Sequence, residues 1–153
     1  GDPPVYPRRG GVRRRRNRVT AVPVSGSGDV EYNEDHRKGE RMKIDVVEKQ
    51  GIVVMALKGD LTIGKGDVAL REQLLKTLAE GHKKLLIDVK GVSYVDSAGI
   101  GELVRCKTTS THHGADLKLI HVEAKLKQLL QMTKLIGVFE TFDDEASALS
   151  SFA

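Results

Sequence analysis

The sequence predicts an α/β domain: a mixed, mostly parallel sheet of four to five strands with an opening β-hairpin and about four helices. The predicted order is ββαβαβα(β)α. Three observations carry this. From Met42 onward, apolar residues alternate between a two-residue and a 3.6-residue period, the signatures of strand and helix. The first two apolar segments are separated by Lys49-Gln50-Gly51 alone, which fits a hairpin. Each later strand is followed by a helix, and such alternation implies crossover connections, a parallel sheet and helices packed on it.

The elements follow in order. Residues 42–48 mostly alternate, as a half-buried strand does, and 52–57 form a more apolar second strand. Residues 59–66 are a glycine-punctuated loop. Asp67 is placed to cap a helix with Leu70, Leu74 and Leu78 on one stripe and Leu75 beside it, stopped by Gly81. Residues 84–89 form the third strand. A helix beginning after Ser97 carries Ile100, Leu103 and Val104 and ends at Gly114. Residues 117–122 form a fourth strand. Residues 123–135 form a helix with Leu126, Leu129 and Leu130 inward, and Val138-Phe139 a short last strand. Thr141-Phe142-Asp143-Asp144 has capping-box form for a final helix that buries Ala148, Leu149 and Phe152.

Charge divides the chain in two. Residues 1–41 hold nine Arg and one Lys against six acidic residues, whereas residues 42–153 hold fifteen basic and fifteen acidic ones. The patterned region, read as one domain over 42–153, therefore has no basic signature for nucleic acid. Residues 1–41 lack apolar periodicity and read as a disordered, Arg-rich leader. Lys38-Gly39-Glu40 precede Met42, and codons for them can spell a purine-rich ribosome-binding sequence. Met42 is thus expected to be the natural start, which the intact mass of the protein made from its own gene would decide. No apolar run nears the roughly 20 residues that span a bilayer. The single cysteine, Cys106, fits a reducing compartment, with a location in the cytoplasm expected.

Chemistry concentrates in Val95-Asp96-Ser97-Ala98-Gly99-Ile100-Gly101. A serine stands where a strand-side loop turns into a helix, with two glycines in the first turn. Each glycine costs about 1 kcal/mol there relative to alanine. Two of them suggest that backbone must stay accessible, or that another chain must come close, beside Ser97. A nucleophile elbow would need glycine where Val95 stands. A hydrolase would also need a base, and of the five histidines His121 fits least badly. Gly59-Asp60-Leu61-Thr62-Ile63-Gly64-Lys65-Gly66 nearly matches a phosphate-binding loop, but Gly66 replaces the hydroxyl that holds magnesium. His112-His113 beside Gly114 offer no metal-ligand set, and Gly99 and Gly101 lack the third glycine of a dinucleotide fingerprint. No enzyme site, metal or cofactor is expected. On the residues alone, Ser97 would be an ordinary helix cap.

From Met42 to Phe152 the chain resembles the STAS domain family, and within it the bacterial anti-sigma factor antagonists. The resemblance rests on Leu57-Lys58-Gly59-Asp60-Leu61, on Leu86-Ile87-Asp88-Val89 with Val92, and above all on Asp96-Ser97-Ala98-Gly99-Ile100-Gly101-Glu102-Leu103. Gly114-Ala115-Asp116-Leu117-Lys118-Leu119 and Leu129-Leu130-Gln131-Met132-Thr133-Lys134-Leu135 extend it. It implies that Ser97 is phosphorylated by an anti-sigma factor that is also a serine kinase of the histidine-kinase-like ATPase type, and dephosphorylated by a PP2C-type phosphatase. It implies partner contacts from Asp60, Thr62, Asp96, Ser97, Ala98, Gly99, Ile100 and Gly101. One departure stands at Thr62, near which the family often carries an aspartate; Asp60 is displaced from that place. If that carboxylate serves the kinase, this chain is either a poor substrate or a member of a branch controlled otherwise. Two further roles open to such a domain are a structural subunit of a stress-signalling complex and a subunit of a lipid-transport ATPase.

Overall fold

The computed structural model describes residues 21–24 and 42–153. Its sheet has six strands: β1 (Val22–Pro23), β2 (Lys43–Lys49), β3 (Ile52–Leu61), β4 (Lys84–Val95), β5 (Asp116–Ile120) and β6 (Glu140–Phe142). Four helices join or follow them: α1 (Gly66–Ala79), α2 (Ser97–His112), α3 (Ala124–Met132) and α4 (Glu145–Ser151). The strand order is β2-β3-β4-β5-β6, with β1 paired to β4 outside this path. β2 and β3 form the antiparallel hairpin, and the pairs β3–β4, β4–β5 and β5–β6 are parallel.

This order dictates where the helices go. Each crossover advances one place in the same direction, and right-handed connections then put every crossover helix on one face. The main core agrees. It gathers Leu70, Leu74 and Leu78 of α1, Ile100, Leu103 and Cys106 of α2, and Leu126 and Leu130 of α3 against Val53, Met55, Leu57, Leu85 and Ile87. The opposite face carries a smaller cluster in which Ala148 and Phe152 at the C-terminal end cover Ile52, Val54, Leu86 and Ile120.

Several local expectations change. α1 begins at Gly66, so Asp67 lies inside the helix and its carboxylate accepts from the Val68 N–H at 2.8 Å. Leu75 faces solvent, 47% exposed, because the stripe of Leu70, Leu74 and Leu78 takes the core side. β4 runs on to Val95 through residues read as a loop, since β3 continues beside it and pairs Leu61 with Val95. A 3-10 turn, Ile136–Val138, replaces the start of the expected last strand, which forms two residues later as β6. The cap of α4 is Asp144, whose Oδ1 accepts from Ser147 N–H at 2.7 Å, rather than Thr141.

The leader reading fails at one point. Residues 21–24 are part of the fold: Val22 pairs with Val95, Pro23 with Tyr94, and Val24 is 3% exposed within the main core. An edge of β4 left open beyond β5 drives this, because unpaired backbone beside buried side chains favours a covering strand. The rest of the leader lies outside the described residues.

Candidate functional site

The site is built at the carboxyl end of β4, where the strand hands over to α2. Asp96 is the N-cap of that helix, in extended geometry, and is 6% exposed. Its Oδ1 accepts from the Gly99 N–H at 2.9 Å and its Oδ2 from the Ile63 N–H at 3.0 Å. One buried carboxylate thus caps α2 and fastens the β3–α1 loop to it. Ser97 is the first helical residue and is exposed. Among the described residues, no hydrogen bond holds its hydroxyl. The ordinary-cap reading therefore passes to Asp96, and Ser97 is left with a free hydroxyl at the positive end of a 16-residue helix.

The glycines divide in role. A Cβ on Gly99 would lie 2.0 Å from the Leu61 carbonyl oxygen, so Gly99 is required for α2 to pack on β3. It is buried and gives no room to another chain. Gly101 is exposed, and a Cβ there would meet nothing within 4 Å. Ile100, 6% exposed, belongs to the core, and Ala98 is half-buried.

Asp60 and Thr62 lie inward. Asp60 is 0% and Thr62 3% exposed. Burial, and secondarily the charge of Asp60, raises the Tyr94 phenol above its usual range. The Thr62 carbonyl accepts from the N–H groups of Lys65 at 3.1 Å and Asp67 at 3.4 Å. Those two donors and the Val68 N–H, taken by Asp67, are the ones a phosphate-binding loop would offer its ligand. A Cβ on Gly66 would meet the Asp60 carbonyl at 2.4 Å, so this glycine serves packing. The loop is a connector, as its missing hydroxyl indicated.

Sequence reasoning overlooked Ile63. Held out by the Asp96 clamp, it is 71% exposed, next to the α2 N-terminus. Val68 and Leu75, seven positions apart on α1, are also exposed, at 39% and 47%. An isoleucine at the tip of an otherwise polar loop was the available signal. Behind the site, Arg71 Nη2 of α1 lies 2.8 Å from Glu102 Oε1 of α2, and Glu102 is 3% exposed. This pair locks the two helices together, and Glu102 holds the Arg71 guanidinium above its ordinary range.

The geometry does not assemble a hydrolase. His121 Nδ1 pairs with Asp88 Oδ1 at 2.9 Å, low on the sheet where Asp88 faces Ile120. Seven strand residues, roughly 20 Å, separate Asp88 from Val95. Among the described residues no group of His, Cys, Asp and Glu could hold a metal ion. No helix among them is long and apolar enough to cross a membrane.

Residues 43–148 match the profile of the STAS domain, spanning β2 to α4 and enclosing the whole site. The chain belongs to the STAS domain family. A curated relative, the anti-sigma-B factor antagonist of Bacillus subtilis strain 168, is 30% identical over 99 residues, covering 65% of this chain and 89% of its own. Among solved structures, an anti-sigma factor antagonist from Mycobacterium paratuberculosis superposes with a TM-score of 0.63 at 18% identity, covering 74% of this chain and 95% of its own. The phosphorylated form of the Bacillus cell-fate determinant SpoIIAA superposes with a TM-score of 0.56 at 15% identity, covering 73% of this chain and 99% of its own. At these identities the superpositions establish the STAS fold.

Proposed function

We propose that this STAS protein is an anti-sigma factor antagonist of the cytoplasm, switched off by phosphorylation of Ser97. The observation that carries the reading is the free, exposed Ser97 hydroxyl on the first turn of α2, relieved of capping by Asp96. The relative named an anti-sigma-B factor antagonist supports the partner, and the phosphorylated structural neighbour supports the modification. In this reading the unmodified protein docks its Ser97 face on an anti-sigma factor, which then releases its sigma factor. The anti-sigma factor acts as the serine kinase, of the histidine-kinase-like ATPase type, and a PP2C-type phosphatase restores the hydroxyl. The protein is a substrate and a docking surface, not an enzyme, and neither nucleic acid nor membrane is its direct partner. Contact falls on Ser97, Ala98, Gly101 and Ile63, because Asp60, Thr62, Asp96, Gly99 and Ile100 are buried and act by shaping that surface.

The sign of the switch follows from two competing energies. A phosphate adds about −1.5 to −2 charges. Within the domain that charge sits at a helix N-terminus, which favours anions by roughly 0.3–1 kcal/mol. At an interface the same charge must be desolvated, at a cost of several kcal/mol when unpaired. Each 1.4 kcal/mol is about tenfold in affinity, so the interface effect dominates. Ser97→Ala is expected to bind the anti-sigma factor and to resist phosphorylation. Ser97→Asp is expected to bind at least tenfold more weakly with an unchanged melting temperature. Equal binding by the two variants removes Ser97 from the mechanism.

A further inference from the structure

We propose that the free edge of β2 is a homodimer interface, where a second copy of this chain pairs antiparallel about a two-fold axis at Ile44. β2 ends the strand order, so one of its edges is unpaired among the described residues. Such an edge is a template for another strand. The hairpin turn fixes which groups it offers. Gln50 and Gly51 both have positive φ, 55° and 78°, the geometry of a two-residue type I′ turn. Lys49 and Ile52 then exchange both backbone bonds. With no bulge in the register, Val47, Asp45 and Lys43 do the same with their partners on β3. Ile44, Val46 and Glu48 therefore turn their N–H and C=O groups outward.

An antiparallel pairing of identical strands has its two-fold axis normal to the sheet. Opposed residues then share a face, and each outward residue must meet another outward one. Charge removes most of the registers this allows, because like charges directly opposite destabilise a sheet. Val46 on Val46 sets Lys43 against Lys49, Ile44 on Val46 sets Asp45 on Asp45, and Glu48 on Glu48 is itself a like pair. What remains is Val46 on Glu48, or Ile44 on Ile44. Charges still without a partner decide between them. Val46 on Glu48 asks Asp45 to pair with Lys49, but Lys49 Nζ already lies 2.9 Å from Glu145 Oε2 of α4. Ile44 on Ile44 sets Lys43 opposite the second copy's Asp45, and Asp45 opposite its Lys43. Neither residue has an ion pair among the described residues. Lys43 also stands directly opposite Lys58 of β3, a like-charge pair that a carboxylate on its other side relieves.

The apolar face agrees. Val46 lies opposite Met55, a core residue under the helix layer, yet is 44% exposed. In the Ile44 register it meets the second copy's Met42, with Ile44 on Ile44 between the two such pairs. A groove between β2 and α1, lined by Met42, Ile44, Ala69 and Gln73, adjoins the same edge and gives the incoming side chains room. The two sheets run on into one, with both α1–α2–α3 layers on the same face. The two β4 strands then run in opposite directions, so the two Ser97 sites point to opposite ends of the dimer.

The test is sedimentation velocity of the full chain between about 10 and 300 μM, a range suited to a small interface. A monomer–dimer equilibrium is expected. Asp45→Lys sets lysine against lysine across the axis, and Lys43→Asp sets aspartate against aspartate. Each is expected to weaken the dimer by about tenfold or more. The double swap K43D/D45K rebuilds both pairs and is expected to return to within about threefold of the parent. Both positions are exposed, and circular dichroism verifies that each variant is folded. In the register of Val46 on Glu48, by contrast, Lys43→Asp leaves the dimer intact and the double swap stays broken. A parent chain that remains monomeric at the highest concentration overturns the proposal. So does a single variant that dimerises as the parent does, or a double swap that fails to restore the dimer.

Discussion

At the scale of single residues, the site separates groups that shape a surface from groups that form it. Gly99 and Gly101 are two positions apart and read alike in the sequence, yet only Gly99 is dictated by the fold. Its absent Cβ is what lets α2 approach the Leu61 carbonyl. Gly99→Ala is expected to destabilise the domain by about 2 kcal/mol or more, since overpacking of this kind costs roughly 1–3 kcal/mol and the clash is with backbone. Gly101→Ala meets open space and is expected to stabilise by up to about 1 kcal/mol, while weakening partner docking if Gly101 lies in the contact. Chemical denaturation of both variants checks this; a Gly99→Ala protein as stable as the parent would mean that α2 can shift away at no cost. Asp96 shows why the sequence stops short here. Its capping of Gly99 is local and legible, whereas its bond to Ile63 spans 33 positions and depends on how β3 and β4 align.

At the scale of elements, the long periodic segments were legible and the short or interrupted ones were not. The stripe of Leu70, Leu74 and Leu78 locates α1 because helix packing needs that spacing. β4 was read only to Val89 because Lys90 and Gly91 interrupt the apolar run; pairing with β3, not local propensity, carries the strand to Val95. β1 is two residues long and has no period to detect, so its place depends wholly on the edge it covers. The short α4 is held by the packing of Ala148 and Phe152 on the sheet and, beyond that, by a side chain on β5. Lys118 of β5 is 6% exposed; its Nζ donates to Ser151 Oγ at 2.9 Å and to the Ser151 carbonyl at 3.1 Å. The same ammonium lies 4.4 Å from the centre of the Phe152 ring. Lys118→Met keeps the aliphatic bulk and removes these contacts, each hydrogen bond contributing about 1 kcal/mol and more where charged. Amide exchange in residues 145–151 is expected to rise by tenfold or more, with α1 and α2 little changed. A uniform rise across all helices would show that α4 unfolds only with the whole domain.

At the scale of the whole molecule, the monotonic strand order puts three helices on one face and leaves the other to α4, so most burial lies between the sheet and the α1–α2–α3 layer. Cys106 sits in that layer at 0% exposure, its Sγ 4.0 Å from Glu102 Oε2. Burial first, and the Glu102 charge second, push its thiol up to about 12 from an ordinary 9.0. Above pH 9 the unfolded chain therefore releases this proton while the folded domain keeps it. Protons then bind more to the folded state, so stability falls as pH rises, with no contribution from this group below pH 9. One pH unit past the unfolded value corresponds to about 1.4 kcal/mol, which is the expected loss by pH 10. Tyr94, also raised, acts in the same direction at higher pH, so the comparison belongs between pH 8 and 10. Cys106→Ala is expected to be less stable at pH 8, through the small cavity it opens, but to lose about 1.4 kcal/mol less than the parent on going to pH 10. Urea denaturation at the two pH values reads both numbers. Parallel losses in parent and variant would show that the alkaline limb of stability arises elsewhere, and that the thiol ionises in the folded domain as freely as in the unfolded chain.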